Sequence, residues 1–267
     1  MRAGINLVGA GAEKSKIKPV NNTTDIPTVV AADQCVLEGF TFLGASKNSP
    51  AAILVENVSP TIRNNVIKKN MTAGILVKYK RANPVIKRNV ICKNKLAGIK
   101  IVLCGGRVTA NEVFGNFGPG ISLLDAYPII EGNYIYQNNE TGIMTGVGQI
   151  KKASEESREA FIYKNRIEYN NAGGIATEKS SPSIVANSIS NKGKPAILLF
   201  SSNSVIKDNV LISNGPPAVR INSSSSPIVE KNVIDGTLRF AIMNDSRTAR
   251  IRNNTINSKW TPGIPGK

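Results

Sequence analysis

Two carboxylates and one arginine have the best claim to chemistry in this sequence: Asp125, Glu178 and Arg220. Each lies in, or just past, a short alternating run, as in Ile121-Ser122-Leu123-Leu124-Asp125, Ile175-Ala176-Thr177-Glu178 and Val219-Arg220-Ile221-Asn222. Glycoside hydrolysis by its usual route needs two carboxyl groups roughly 5–9.5 Å apart, one acting as acid and the other as base or nucleophile. A lyase would instead need a base beside a uronate. Lys100 or Arg220 is the candidate base, with a carboxylate holding Ca²⁺. Candidates for holding an anionic sugar chain are Lys78, Lys100, Lys151, Lys152, Phe200 and Asn222. Taken singly, each charged residue reads as a solvated charge. The chain has no His, and no residue spacing points to a metal site. Gly9-x-Gly11 lacks the third glycine and the following helix of a dinucleotide loop.

These residues are positioned by a repeat. An Asn followed two residues later by Val, Ile or Leu falls at Asn65, Asn89, Asn111, Asn133, Asn165, Asn187, Asn209, Asn232 and Asn254, in steps of 24, 22, 22, 32, 22, 22, 23 and 22. A fixed period near 22 means a stack of equivalent units. Each unit holds three short runs that alternate with period two: P-x-I, N-x-I and G-I-x-V or a relative. Period-two runs are half-buried strands. Three strands per repeat make one coil of a parallel β-helix. The fold class is therefore all-β: a single-stranded parallel solenoid of about ten coils and three short parallel sheets, with successive coils about 4.8 Å apart. The repeated Asn is expected at the tight turn between the first two runs, where it tolerates a left-handed backbone and bonds to the Asn above and below. The Gly of the third run is expected to let the chain turn sharply.

Alternation sorts the third run into inward and outward positions. The outward ones, along the stack, are Leu76/Lys78, Lys100/Val102, Ser122/Leu124, Met144/Gly146, Ala176/Glu178, Leu198/Phe200, Arg220/Asn222 and Met243/Asp245. Asp125 and Glu178 are two rungs apart, roughly 10 Å. On the second run the outward positions include Phe114, Tyr134 and Tyr136, with Val66, Val90 and Cys92 on neighbouring coils. Such a contiguous apolar and aromatic patch marks a protein-partner or sugar-stacking surface.

One β-helix domain is expected over 1–267: a first coil and polar loop at 1–34, repeat coils at 35–257 and a tail at 258–267. In the first of those repeat coils, Gly39 stands where later coils carry Asn. An insertion at Gly146–Ala160 carries a short helix over Ala153–Ala160. As a loop beside the outward face it would bring Lys151, Lys152 and Arg158 near an anionic chain. Trp260 is expected to cover the last coil's exposed rung.

The net charge of +16 points to an anionic partner: an acidic polysaccharide, a nucleic acid or a membrane surface. No long Lys/Arg block supports a nucleic-acid tail. Cys35, Cys92 and Cys104 fit no redox or metal spacing and read as free thiols. No apolar run reaches the ~18 residues of a membrane span. Residues 1–20 lack the apolar core of a signal peptide. The compartment stays open: secreted or periplasmic if a precursor was trimmed, cytoplasmic otherwise.

The pattern P-x-I-x-x-N-x-I-x-x-N-x-x-x-G-I-x-V resembles the right-handed parallel β-helix repeats of the pectate-lyase-like superfamily. That group includes carbohydrate-binding and sugar-hydrolase domains, NosD-like periplasmic proteins and the β-helix domain of some F-box proteins. The resemblance covers about residues 35–257. It implies a right-handed coil, and in the enzymes of the group the third-run sheet commonly carries the active site. The polygalacturonase-like N-T-D and paired Asp are missing here, as is the epimerase-type D-P-H; Arg220-Ile221-Asn222 is only faintly similar to the R-I-K strand. One fold hosts many sites. Two functional readings follow. One is a carbohydrate-associated protein that binds, and in the enzymatic case cleaves or modifies, an acidic polysaccharide on the third-run face. The other is a non-catalytic interaction scaffold.

Overall fold

The computed structural model describes residues 1–19, 25–147, 159–236 and 240–257. It is a parallel β-helix. Among the described residues, thirty-two short strands form three sheets of 11, 11 and 10 strands, in which each strand inside a sheet pairs with the third strand before it and the third after it. One coil comprises Thr61–Arg63, Val66–Lys68 and Ala73–Lys78; the next comprises Val85–Lys87, Val90–Cys92 and Ile99–Val102. Among the described residues there is no helix, and the expected Ala153–Ala160 helix lies almost wholly outside them.

The typical three-residue strand presents a half-buried, a buried and another half-buried residue. The middle residues stack into columns such as Ile62–Ile86–Val108–Ile130 and Ile67–Ile91–Val113–Ile135, all exposed by 1 % or less. A core only a few side chains wide needs aliphatic residues of uniform size, and Ile dominates it. Register is in step from coil to coil, so a one-residue slip would move every Ile to the outside.

The repeated asparagines form the predicted ladder. Asn133, 1 % exposed, shows the pattern. Its Oδ1 accepts from the backbone N–H of Asn111 at 2.9 Å and from Asn111 Nδ2 at 3.0 Å. Its own Nδ2 donates to Val108 O at 2.8 Å and to Asn165 Oδ1 at 3.0 Å. The chain of amide-to-amide bonds runs unbroken from Asn65 to Asn254.

Two parts of the turn chemistry differ from expectation. The left-handed residue is not the ladder Asn but the residue before it, as at Arg88 (φ 54°), Ala110 (52°), Lys164 (51°) and Asp208 (54°). A non-glycine there costs about 1–2 kcal/mol; the paired amide that follows offsets it. Gly39 follows the same rule: it takes the left-handed place (φ 77°), and Phe40 takes the ladder place, donating its N–H to Asn65 Oδ1. The third-run glycines are also not turn residues. Gly74, Gly98, Gly120, Gly142 and Gly174 have no positive φ. They are required by space: a Cβ on Gly120 would sit 2.6 Å from Ile135 Cγ2, 2.7 Å from Gly142 O and 2.9 Å from Asn138 Nδ2.

That last neighbour belongs to a second ladder, built on the second Asn of the repeat motif. Asn70, Asn94, Asn116, Asn138 and Asn170 stack at the corner between the second and third sheets, joined amide to amide at 2.8–2.9 Å. Where Ala196 replaces the column glycine, Asn191 Nδ2 has no acceptor among the described residues.

Two predictions follow from this packing. Asn133→Leu leaves its neighbours' amide groups unpaired in the core and is expected to lower stability by about 1–3 kcal/mol; an unchanged denaturation midpoint would remove the ladder's energetic role. Gly120→Ala is expected to cost about 1–3 kcal/mol through overpacking, measured by the same unfolding curve, although alanine is otherwise the milder strand residue.

Candidate functional site

The outward face of the third sheet holds two columns. The inner column runs Leu76, Lys100, Ser122, Met144, Ala176, Leu198, Arg220, Met243, and the outer one Lys78, Val102, Leu124, Gly146, Glu178, Phe200. Both are mainly apolar, interrupted by a few charges.

Four of the sequence candidates meet on three successive coils. Glu178 is in register with Phe200, and Asn222 follows on the next coil, its N–H donating to Leu199 O at 3.1 Å. Arg220 stands beside Asn222, in register with Leu198 and Met243. Phe200 is 41 % exposed, so its ring is open to a ligand. Arg220 reaches one coil further, donating Nη1 to Met243 Sδ at 3.1 Å and Nη2 to Asp245 Oδ2 at 3.4 Å. Asn222 also serves the corner: its Oδ1 accepts from Ser201 N–H at 3.1 Å and Ser225 Oγ at 2.6 Å, and its Nδ2 donates to Ser224 Oγ at 3.0 Å. The serines of this corner come from the runs Ser201-Ser202-Asn203-Ser204 and Ser223–Ser226.

The remaining candidates lie elsewhere. Lys78 pairs with Glu56 of the preceding coil, whose carboxylate raises the ammonium's pKa by hydrogen bonding. Lys100 stands between Leu76 and Ser122. Asp125 occupies a left-handed corner (φ 48°) in the place that Leu103 and Lys179 hold on other coils. Its backbone N–H donates to Gly146 O at 2.9 Å, and its Oδ1 is shielded from solvent. Lys151, Lys152 and Arg158 of the insertion, and Trp260 of the tail, lie outside the described residues.

The second sheet carries the aromatic patch. Phe114 stacks on Tyr136 with ring centroids 4.8 Å apart, Tyr136 on Tyr134 at 4.3 Å, and the Arg166 guanidinium lies 4.8 Å from the Tyr134 centroid. Tyr136 Oη donates to Glu112 Oε1 at 2.7 Å, and Tyr134 Oη to Glu168 Oε2 at 3.1 Å. Burial, then the neighbouring carboxylate, raises the pKa of each phenol. The rings stack on one another and the tyrosine hydroxyls meet glutamates, while all three side chains stay half-buried.

Among the described residues, no three His, Cys, Asp or Glu side chains converge to hold a metal. A Ca²⁺ site takes six to eight oxygens, and Glu178 stands beside Gly146 and Phe200 instead. The three thiols are free and buried. Burial pushes Cys104 up to about 12, away from nucleophilic chemistry.

The sequence matches the family described as right handed beta helix region over residues 28–153 and 144–256. No curated protein sequence matches the chain. Among solved structures, the A-module of Azotobacter vinelandii mannuronan C-5 epimerase AlgE6 superposes with a TM-score of 0.81 at 15 % identity, covering 97 % of this chain and 85 % of that one. The AlgE4 A-module from the same organism gives 0.77 at 16 %, covering 100 % and 85 %. The catalytic unit of a GH87 α-1,3-glucanase from Streptomyces thermodiastaticus gives 0.66 at 12 %, covering 95 % of this chain and 58 % of that one.

The tyrosine stack yields a pH prediction. A phenol whose pKa is raised on folding contributes stability that is complete below its unfolded pKa of about 10 and lost as pH rises above it. Tyr136→Phe is therefore expected to shrink the loss of stability between neutral and strongly alkaline pH, read from denaturation midpoints. An identical alkaline loss in both proteins would contradict the raised phenol pKa.

Proposed function

The chain belongs to the right-handed β-helix family, and from that premise we propose that it binds an acidic polysaccharide along the outward face of the third sheet. The observation that carries this reading is the alignment of Glu178, Phe200 and Asn222, with Arg220 beside them, on successive coils of a protein with a net charge of +16. The exposed Phe200 ring offers an apolar face to a sugar, while Arg220 and Asn222 offer donors to its carboxylate and hydroxyl groups. The neighbours' names are consistent with a carbohydrate ligand: two act on mannuronan, a polyuronate, and one on an α-1,3-glucan.

Binding is the core of the proposal, and turnover is not. Two rungs put Asp125 and Glu178 roughly 10 Å apart, at the outer edge of the ~5–9.5 Å range of a hydrolytic pair. One Asp125 oxygen is also withdrawn from solvent, and the chain has no His to act as acid or base. The same spacing supports the second reading, a non-catalytic scaffold, in which the face engages a protein.

Binding of oligomeric mannuronate and of a neutral α-1,3-glucan, measured side by side, separates these. The expected result is binding of the uronate alone, weakening as salt rises because exposed charges are screened within about 8–10 Å. Phe200→Ala is expected to weaken binding about tenfold, equivalent to ~1.4 kcal/mol. Equal affinity for the neutral polymer, or no response to Phe200→Ala, would overturn the reading.

A further inference from the structure

The positive charge is concentrated in one part of the solenoid. Residues 57–124 contain twelve lysines and arginines and a single acid, Glu112. Some of these cations are answered by neighbours: Arg63 by Glu38, Lys78 by Glu56 and Arg107 by Glu131. Lys68, Lys69, Lys93 and Lys95 pair with no acid among the described residues. They come from two successive repeats and meet at the corner between the second and third sheets.

The fold holds them there. Lys68 is in register with Cys92. Lys69 and Lys93 are the left-handed corner residues of their coils, each at φ 56°. Each donates its backbone N–H one coil onward at 3.3 Å, Lys69 to Cys92 O and Lys93 to Phe114 O. Lys95 follows the ladder residue Asn94, and its ammonium lies 3.7 Å from the Phe117 centroid of the next coil. Lys69, Lys93 and Lys95 are exposed and Lys68 half-buried. Lys93, Lys68 and Lys69 are all close enough to act on the Cys92 thiol, whose pKa burial raises and these cations lower. The one nearby acid, Glu112, already accepts the Tyr136 hydroxyl.

We infer that this corner is a grip for the polysaccharide: Lys68, Lys69, Lys93 and Lys95 hold carboxylate or sulfate groups of a chain running along the solenoid axis. The inference rests on the proposed polysaccharide binding and adds where the chain's charge is neutralised. Lys69 and Lys93 stand at one corner on successive coils about 4.8 Å apart, with Lys68 and Lys95 beside them, so neighbouring anionic groups of one chain can be met together. All four cations are lysines, which meet an anionic group as point charges rather than through a planar fork. A single-stranded nucleic acid would want free aromatic faces for its bases, and the exposed ring at this corner, Phe117, lies under Lys95.

The test uses the whole chain with all four lysines changed to Gln, which leaves the left-handed backbone as it is. A control removes equal charge at the first corner by Lys87→Gln, Arg88→Gln, Lys164→Gln and Lys231→Gln. A second variant, Lys68→Gln with Lys95→Gln, spares both left-handed positions should the fourfold change fail to fold. Affinity for oligomeric mannuronate, for dextran sulfate and for single-stranded oligonucleotide is measured as a function of salt. The fourfold variant is expected to bind an acidic polysaccharide at least about tenfold more weakly, with a slope of log Kd against log salt shallower by about three, at ~0.7 per cation. The double variant should lose about half that slope and the control almost none. Loss with the uronate alone, or with the sulfated polymer alone, identifies which anionic group is held. Equal losses in the fourfold variant and the control would overturn the site while leaving polysaccharide binding intact. Tighter binding of the oligonucleotide than of either polysaccharide would overturn the ligand class. A wild-type protein that binds neither polysaccharide would overturn the proposed function together with this inference.

Discussion

A buried amide must find partners for its two donors and its acceptor or cost the fold several kcal/mol, and this solenoid depends on how it meets that demand. Each ladder asparagine takes its partners from the coils on either side. Asn133 needs Asn111, Asn165 and the Val108 carbonyl all in place at once. Coils are therefore not interchangeable slabs resting on apolar contacts. They are locked in register by a column of polar groups that tolerates no slip, with isoleucine columns filling the space alongside.

The ladders also dictate the chain's backbone. Packing an Asn amide against the third-sheet strand leaves no room for a Cβ at Gly74, Gly98, Gly120 or Gly142. Turning tightly enough to bring the next amide into line puts the preceding residue in the left-handed region, whatever its side chain. The second cost is repeated at almost every coil, which is consistent with the amide network more than offsetting it.

With the interior fully committed, function is left to outward positions and corners, and the surfaces differ in kind. The second sheet carries a stack of Phe114, Tyr136 and Tyr134 capped by Arg166 that satisfies itself. The third sheet offers an open aromatic, Phe200, beside Glu178 and Arg220. The corner between these two sheets gathers lysines that no acid answers among the described residues. The two sites are separate: Lys93 and Lys95 precede the third-sheet strand Ile99–Val102, whereas Glu178 and Phe200 end strands three and four coils further on.

The sequence by itself determined the period, the three strands per coil, the inward and outward columns and the first asparagine ladder, because each is a spacing and spacing is local. It also placed Glu178, Phe200, Arg220 and Asn222 on neighbouring coils, since a register in step follows from a constant period. Only the tertiary structure decided the rest. Glycine's role depended on which atoms of the next coil approach it, and the left-handed residue on where the paired amide needs the chain to turn. That the tyrosine hydroxyls of the aromatic patch are paired followed from where Glu112 and Glu168 point. The lysine corner needed the structure too: the period brings Lys69 and Lys93 together, but which cations are answered depends on where Glu38, Glu56 and Glu112 reach.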